Sequence, residues 1–345
     1  MNLNQPNFWY SKKRSFLSKI LYPLSLVYSF LFLINRKFSK EFEVSIPIIC
    51  IGNLVIGGGG KTPTVIALRK ILAKNFKKIF VLSRGYGRKS NISREVFEND
   101  NHKEVGDEAI IHKKYGPVFV SKNKIYGCKM CLKNKADLVI LDDGFQSKNI
   151  KKNLFILVVD KNQMFGNKKV FPSGPLRENI KTGISRADII ITTDISDSYL
   201  RKIIPKKVPI FLAKKIIKIY NLKKKEVLAF CGIGYPDNFF YELERKKIII
   251  KRKIVFGDHY AYSENDIEKI ILTAKKEKLE ILTTLKDLVK IKKKYWSKIK
   301  VVHLSLKILE EKKLNRLIIK KLNLKKPQDQ QVSFQDISPN ASEGQ

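Results

Sequence analysis

The run Cys50-Ile51-Gly52-Asn53-Leu54-Val55-Ile56-Gly57-Gly58-Gly59-Gly60-Lys61-Thr62-Pro63 constrains the fold of this chain more than any other feature. An apolar segment leads into four consecutive glycines, and Lys-Thr-Pro then opens the helical stretch PTVIALRKIL. Strand, glycine-rich turn and helix, with Pro63 near the first helical turn, make the local context that a phosphate-binding loop requires. Glycines let backbone N–H groups close around phosphate oxygens, Lys61 can reach the β and γ phosphates, and Thr62 can ligate Mg²⁺. The candidate nucleotide-binding residues are therefore Val55, Ile56, Gly57, Gly58, Gly59, Gly60, Lys61 and Thr62. A glycine-rich turn can also merely join a strand to a helix; the Lys-Thr pair weighs against that.

The spacing departs from the strict loop G-x-x-x-x-G-K-[ST], which needs glycine where Val55 stands. The core Gly57-Gly58-x-Gly60-Lys61-Thr62 also matches the deviant loops of dimeric partitioning-type ATPases, but Ile56 occupies the place of their signature lysine.

From Ser45 onward short apolar runs alternate with helical stretches, the pattern of a mostly parallel sheet covered by helices. SIPIICIGN, KIFVLSRG, GPVFVS, ADLVILDD, NLFILVVD and ADIIITT are the candidate strands of an α/β nucleotide-binding domain over 41–207. Ligands of such sheets bind at the carboxyl ends of the strands. Residues 208–232 suggest two extended segments around a polar turn, a ribbon linking to a second, smaller α/β unit over 233–325. That unit draws strands from KIIIKRKIVFGDHY, KLEILTTLKD and KIKVVHLSLKIL. The polar segment 326–345 reads as a disordered tail.

Residues 1–40 differ from the rest. FLSKILYPLSLVYSFLFLIN, Phe16 to Asn35, is interrupted by Lys19 and Pro23, and its charge-free part is too short to span a bilayer comfortably. Lys12, Lys13, Arg14, Arg36 and Lys37 flank it, and Trp9, Tyr10, Tyr22 and Tyr28 accompany it. These features suit an amphipathic helix in the bilayer interface beside anionic headgroups, or alternatively a helix packed on a core.

The chain of 345 residues carries a formal net charge of +37, with 57 Lys against 12 Arg. Lysine spread along the whole length fits compositional drift, or attraction to an anionic surface; a nucleic-acid reader would favour Arg forks and interleaved aromatics, and no nucleic-acid partner is expected. Four cysteines make no disulfide framework, and Cys128-Lys129-Met130-Cys131 reads as two ordinary helix cysteines because no second Cys/His pair has zinc spacing.

A phosphate loop needs a metal-orienting acid at the end of a neighbouring strand, and LVILDDGFQ supplies Asp142 and Asp143 there. Ser83-Arg84-Gly85-Tyr86-Gly87 ends a strand with an arginine, Val105-Gly106-Asp107-Glu108 opens a helix with two acids, and Phe171-Pro172-Ser173-Gly174-Pro175-Leu176-Arg177-Glu178 offers an Arg–Glu pair. Asp107 could act as general base or merely cap a helix. His259 follows a strand beside Asp258, where a lone histidine is as readily structural.

Taken in order, GNL…GG.GKTP, SRGYG, VGDE, LDDGFQ, P.GPLRE, AF.GIG.P..F at 229–239, DHY and TT.KD at 283–287 resemble the tetraacyldisaccharide 4′-kinase family, from about Trp9 to Leu324. The resemblance implies a P-loop domain and a second α/β domain joined by a β-ribbon, with a membrane-associated start. It implies transfer of the ATP γ-phosphoryl group to the 4′-hydroxyl of an acylated glucosamine disaccharide 1-phosphate, giving lipid IVA, at the cytoplasmic face of the inner membrane. ATP and Mg²⁺ would be the cofactors. Asp107 would be the catalytic carboxylate, supported by His259; Thr62 and Asp142 would hold Mg²⁺ with Asp143, Glu108 and Gln146 nearby. Arg84, Arg177 and Glu178 fall on positions lining the active cleft.

The chain departs from that family at three places: Gly59 where Thr or Asn is frequent, Ser147 where His is frequent, and Lys124 where Arg is common. The rival reading is a P-loop ATPase that acts as a partner-driven switch without a lipid acceptor.

Overall fold

Ile48–Gly52 forms β1, and each of its residues is fully buried, as a strand covered on both faces requires. In this computed structural model, which describes residues 6–11, 15–193 and 198–324, β1 lies inside one twelve-stranded sheet. The segment 326–345 and the residues Lys12, Lys13 and Arg14 fall outside the described residues.

Around β1 stand β2 (Ile79–Ser83), β3 (Arg94–Glu95), β4 (Val118–Val120), β5 (Leu138–Asp142), β6 (Leu154–Val159) and β7 (Ile189–Thr192). The other half contains β8 (Ile210–Ile219), β9 (Glu226–Cys231), β10 (Ile249–Val255), β11 (Glu280–Thr284) and β12 (Ile299–Ile308). The order across the sheet is β10-β9-β11-β12-β8-β7-β6-β1-β5-β2-β4-β3. Pairing is parallel throughout except between β8 and β12 and between β3 and β4. All six candidate strands of the first half are thus present, and their apolar runs supply a continuous core in which each fully buried Ile or Leu contributes about 2 kcal/mol.

The two extended segments expected over 208–232 exist as β8 and β9, but they do not pair with each other. β8 pairs with β12 instead, antiparallel from Ala213 to Ile219, and with β7 through Ile210–Leu212. The ribbon that joins the two halves is therefore long-range. β12 continues into the helix Glu311–Leu324, which crosses back and sets Leu314, Ile318 and Leu322 into the core of the first half. A sequence boundary placing that helix with the second unit misses this return.

β1 is flanked by β5 on one side and β6 on the other, with Ile51 opposite Asp142, so the glycine loop and the Asp142-Asp143 pair leave the sheet side by side. β9, β10 and β11 also end toward this region, through Ile233-Gly234, Asp258-His259 and Thr284-Lys286.

The N-terminal helices Phe16–Ile20 and Tyr22–Phe38 reverse the usual amphipathic sense. Ser18 and Ser25 are buried against the protein, whereas Phe16, Leu24, Val27, Phe30, Leu31 and Phe38 are exposed. The inward face is fastened by hydrogen bonds: Ser18 Oγ donates to Ser173 O at 2.8 Å, Ser25 Oγ to Val170 O at 2.8 Å, and Trp9 Nε1 to Pro172 O at 3.1 Å. A helix packed on a core by its apolar face, one of the two sequence readings, is not what forms. Among the described residues no helix is long and apolar enough to cross a membrane.

Cys128 and Cys131 lie buried on the helix Lys124–Lys133 as free thiols, and burial pushes the Cys128 thiol up to about 12. Neither is a reactive thiolate at neutral pH.

Candidate active site

A cleft of about 830 Å³ separates the strand ends of the two halves. The glycine loop forms one wall. Gly60 adopts the left-handed conformation, φ 76°, at the start of the helix Lys61–Leu72, a turn that favours glycine. Ile56 to Thr62 line the cleft. Val55 does not: it is buried and bridges to Leu176, while Ile56 N donates to Pro175 O at 2.8 Å. These two backbone positions hold the loop against the 171–178 segment, and the part of the loop open to the cleft begins at Ile56.

Lys61 Nζ donates to Asn53 Oδ1 at 3.1 Å and lies 3.6 Å from Asp143 Oδ1. Asn53 occupies the space beside Gly59, where an added Cβ would stand 2.1 Å from Asn53 Nδ2. The glycine at 59 is thereby matched to the asparagine that orients Lys61.

Asp142 and Asp143 differ sharply. Asp142 Oδ2 takes a 2.7 Å hydrogen bond from His112 Nε2, with both side chains 1% exposed, and its Oδ1 is buried without a hydrogen-bond partner. Asp143 has φ 59° and is gripped by Arg177 Nη1 at 2.9 and 3.0 Å. Burial raises the Asp143 carboxyl, but Lys61 and Arg177 outweigh it and hold the group at about 2. Gln146 accepts from Arg177 at 3.1 Å and donates to Asn53 O and Glu178 Oε1, each at 3.2 Å.

Glu178 does not line the cleft. It is 2% exposed and pairs with Arg186 and Gln146. Its charge is consumed in fixing the 171–178 segment, so sequence placement among the catalytic residues is corrected to a supporting one. Arg84 stands exposed on the cleft wall. Lys124 is 5% exposed with its Nζ unpartnered, and burial pushes its ammonium down to about 8 despite Asp142 and Asp143. Ser147 also reaches the cleft.

The opposite wall brings His259. Its ring stacks near Tyr86, with centroids 4.5 Å apart, and its Nδ1 lies 3.0 Å from Asp107 Oδ2. Asp107 Oδ1 accepts from Glu108 N at 2.8 Å. Gly106, φ 89°, precedes this turn so closely that a Cβ would sit 2.8 Å from Tyr86 O. Asp107 is 3% exposed, covered by these neighbours, and lies just behind the cleft surface that His259, Tyr86 and Glu108 form. Burial raises the Asp107 carboxyl, yet Lys286 and His259 hold it down at about 2. His259 itself has φ 58°, and a left-handed non-glycine residue costs on the order of 1 kcal/mol that the surrounding contacts must offset.

Two residues of the site were not singled out from sequence. Lys286 Nζ lies 3.4 Å from Glu108 Oε1 and 3.7 Å from Asp258 Oδ1, so Glu108 is engaged across the cleft. His112 sits on the helix Asp107–Lys113 one turn beyond the two acids. Its signal was available: a histidine five residues after Asp107 on a short helix leading from the same motif.

Among the described residues no group of three or more His, Cys, Asp or Glu is arranged to hold a metal ion. A cation here would be shared with a ligand's own oxygens, as Mg²⁺ in nucleotide sites is.

A family model described as tetraacyldisaccharide-1-P 4′-kinase matches residues 17–323. Tetraacyldisaccharide 4′-kinase of Rhodopseudomonas palustris (strain BisA53) is 34% identical over 297 residues, covering 84% of this chain and 86% of that one. The enzyme of the same name from Paramagnetospirillum magneticum (strain ATCC 700264 / AMB-1) is 33% identical over 310 residues, covering 88% and 94%. The "apo" form of LpxK from Aquifex aeolicus, solved in complex with ATP, superimposes with a TM-score of 0.71 at 29% identity, covering 89% of this chain and 99% of that one. The ordered motifs, the sheet and these matches lead to one conclusion: the chain belongs to the tetraacyldisaccharide-1-P 4′-kinase family.

Proposed function

We propose that this chain transfers the γ-phosphoryl group of ATP to the 4′-hydroxyl of a tetraacyldisaccharide 1-phosphate, the step that forms lipid IVA in lipid A biosynthesis. The observation that carries the reading is convergence: the glycine loop with Lys61 and Thr62, the Asp142-Asp143 pair, and His259 surround one cleft, with Asp107 held directly behind His259. Phosphoryl transfer asks mainly for positioning and charge neutralisation, and this cleft has groups for both.

Gly57 to Gly60 would receive the phosphates through backbone N–H groups, with Lys61 and Arg177 supplying charge. Lys124, buried with an uncommitted ammonium, suits a phosphate oxygen of nucleotide or acceptor. Its single point charge would replace the fork of the arginine common there. The residues fit Mg²⁺: Asp142 keeps one buried oxygen without a partner, and Thr62 opens the helix on the same cleft. Asp143, Gln146 and Glu108 are committed to Arg177 and Lys286 and would act around that cation rather than on it directly. Mg²⁺ bound with ATP would neutralise charge developing on the β and γ oxygens.

Asp107, ionised at neutral pH, would accept a hydrogen bond from the attacking hydroxyl and take its proton late, since a loose transition state needs little early deprotonation. His259 Nδ1 and Glu108 N orient that carboxylate.

The outward apolar face of Tyr22–Phe38, with Lys19, Arg36, Lys37 and Lys40 around it, supports residence on an anionic membrane surface, peripheral or monotopic, at the cytoplasmic face of the inner membrane. An acylated acceptor would then meet the cleft from the bilayer, where Tyr28 and Phe171 line its mouth. The nucleotide-binding half would span 41–207, and the β10-β9-β11 half would close upon it.

The test is ADP release by the purified chain with Mg-ATP, with and without the disaccharide lipid. Acceptor-dependent release with a phosphorylated lipid product is expected; acceptor-independent turnover alone would refute the kinase reading.

A further inference from the structure

Lys286 enters the cleft from the wall opposite the glycine loop, on the short helix Leu285–Leu288 after β11. Its neighbour Asp287 fixes the backbone at this point. The Asp287 carboxylate is fully buried, accepting from Gly232 N at 3.0 Å, Tyr262 OH at 2.9 Å and Thr284 Oγ1 at 2.6 Å, and pairing with Lys290 at 2.9 Å. Lys286 thus projects from a turn anchored on four sides.

The Lys286 Nζ lies 3.1 Å from His259 Nε2, with Glu108 and Asp258 as its carboxylate neighbours. Burial pushes its ammonium down, but Asp107, Glu108 and Asp258 hold it above the ordinary lysine range. An ammonium has three donors and no acceptor. The 3.1 Å contact is therefore a hydrogen bond only when His259 Nε2 carries its lone pair, which leaves the ring proton on Nδ1. That proton faces Asp107 Oδ2 at 3.0 Å. The other neutral tautomer would set donor against donor at Lys286 and lone pair against carboxylate at Asp107.

We infer that Lys286 is a positioning residue of the phosphoryl transfer, fixing His259 in the Nδ1–H tautomer and so fixing the hydrogen bond that His259 gives Asp107. What the pair does for catalysis rests on the kinase reading above; the tautomer itself does not. Lys286 also bonds Glu108, whose backbone N–H holds the other Asp107 oxygen, so one ammonium organises both contacts to that carboxylate.

The experiment uses the full chain with ¹⁵N-labelled histidine, the His259 signals being assigned by their loss in His259→Gln. In the wild type the Nδ1 nitrogen carries the proton; in Lys286→Met the share of the Nε2–H form rises, with Asp107 alone left to hold the proton on Nδ1. Turnover in Lys286→Met falls about 10²-fold, less than the roughly 10⁴-fold that a wrong histidine tautomer costs a serine-protease triad, because Asp107 still favours the right one, while KM for ATP stays within about threefold. Lys286→Arg, which keeps a charged donor, restores the wild-type tautomer and at least part of the turnover. If Lys286→Met does not fold, Lys286→Ala is read in its place, and a smaller share of the Nδ1–H form is again expected because no donor then faces Nε2. An unchanged tautomer in the folded variant, or an effect confined to KM for ATP, overturns the inference. A wild type that never phosphorylates the lipid, while the tautomer still switches, refutes the kinase reading and leaves the Lys286–His259 relationship supported.

Discussion

His259 Nδ1 stands 3.0 Å from Asp107 Oδ2, joining residues 152 positions apart that belong to opposite walls of the cleft. The pair exists only when both halves are in place, so the placement of one wall sets the orientation of the carboxylate on the other. Asp107→Ala is expected to lower turnover by about 10²-fold or more with ATP affinity little changed. Steady-state kinetics on the lipid acceptor, together with equilibrium nucleotide binding, check this. Wild-type turnover in the variant would remove Asp107 from the reaction.

The same pair makes a prediction about acid stability. Asp107 is held at about 2 in the fold, because Lys286 and His259 overcome the upward push of burial. The unfolded chain binds that proton more readily, so the contribution is complete above about pH 4 and is lost as pH falls toward 2. It amounts to about 2 kcal/mol. Asp107→Asn removes this titration, and the gap between the melting temperatures of wild type and variant should narrow between pH 5 and about pH 2.5. A gap that stays constant would show that Asp107 gains no net stabilisation from its partners.

His112 and Asp142 form a fully buried pair, and Asp142 leaves only one oxygen for a ligand. His112→Leu strands the carboxylate and should cost about 3 kcal/mol in denaturant unfolding. Mn²⁺ titrated in the presence of ATP should bind about 10-fold or more weakly, because the acid is no longer oriented. His112→Gln, whose amide can donate, should recover part of both. Unaltered Mn²⁺ affinity in a folded His112→Leu protein would mean Asp142 is positioned by the backbone alone.

Much of this was legible beforehand. Each apolar run that ends in a glycine or acidic cluster became a strand delivering that cluster to the cleft, because a parallel sheet sends all such ends the same way. What stayed hidden depends on contacts distant in sequence. β8 paired with β12 rather than with its neighbour β9, and nothing local marks that choice. Lys286 hides beside Asp287 in a motif whose Thr284 and Asp287 look like a helix cap and do form one. In the Arg177-Glu178 pair, alternation on the chain sends one side chain to Asp143 and the other inward to Arg186; the pattern alone does not say which.

That division between Arg177 and Glu178 is itself testable. Glu178→Gln keeps the size and one acceptor but unpairs Arg186, which also donates to Phe145 O at 2.9 Å. Stability should drop by about 2 kcal/mol while turnover of the folded protein stays within about threefold. Arg177→Met, by contrast, frees Asp143 and should raise KM for Mg-ATP or lower kcat by about 10-fold or more. A collapse of kcat in Glu178→Gln at unchanged stability would return Glu178 to the catalytic group.

The serine side of the N-terminal helices faces the protein and the apolar side faces out, and the two sides should fail differently. Phe30→Ser, Leu31→Ser and Phe38→Ser together remove outward side chains of 63%, 58% and 76% exposure. If each buries part of its surface in a bilayer, about 1 kcal/mol apiece is lost, and co-sedimentation with phosphatidylglycerol vesicles should weaken about 10²-fold. Adding salt, or replacing the vesicles by zwitterionic ones, should weaken the wild type further, since Lys19, Arg36, Lys37 and Lys40 each contribute up to about 1 kcal/mol near an anionic surface. ATP affinity should be unmoved. Ser25→Val acts on the other face: it removes the donor to Val170 O and the acceptor for Ser173 N, loosening the segment that carries Arg177. That variant should still bind vesicles but lose turnover. Equal sedimentation of the triple variant and the wild type would end the membrane reading of the exposed face, leaving the serine contacts as a purely internal fastening.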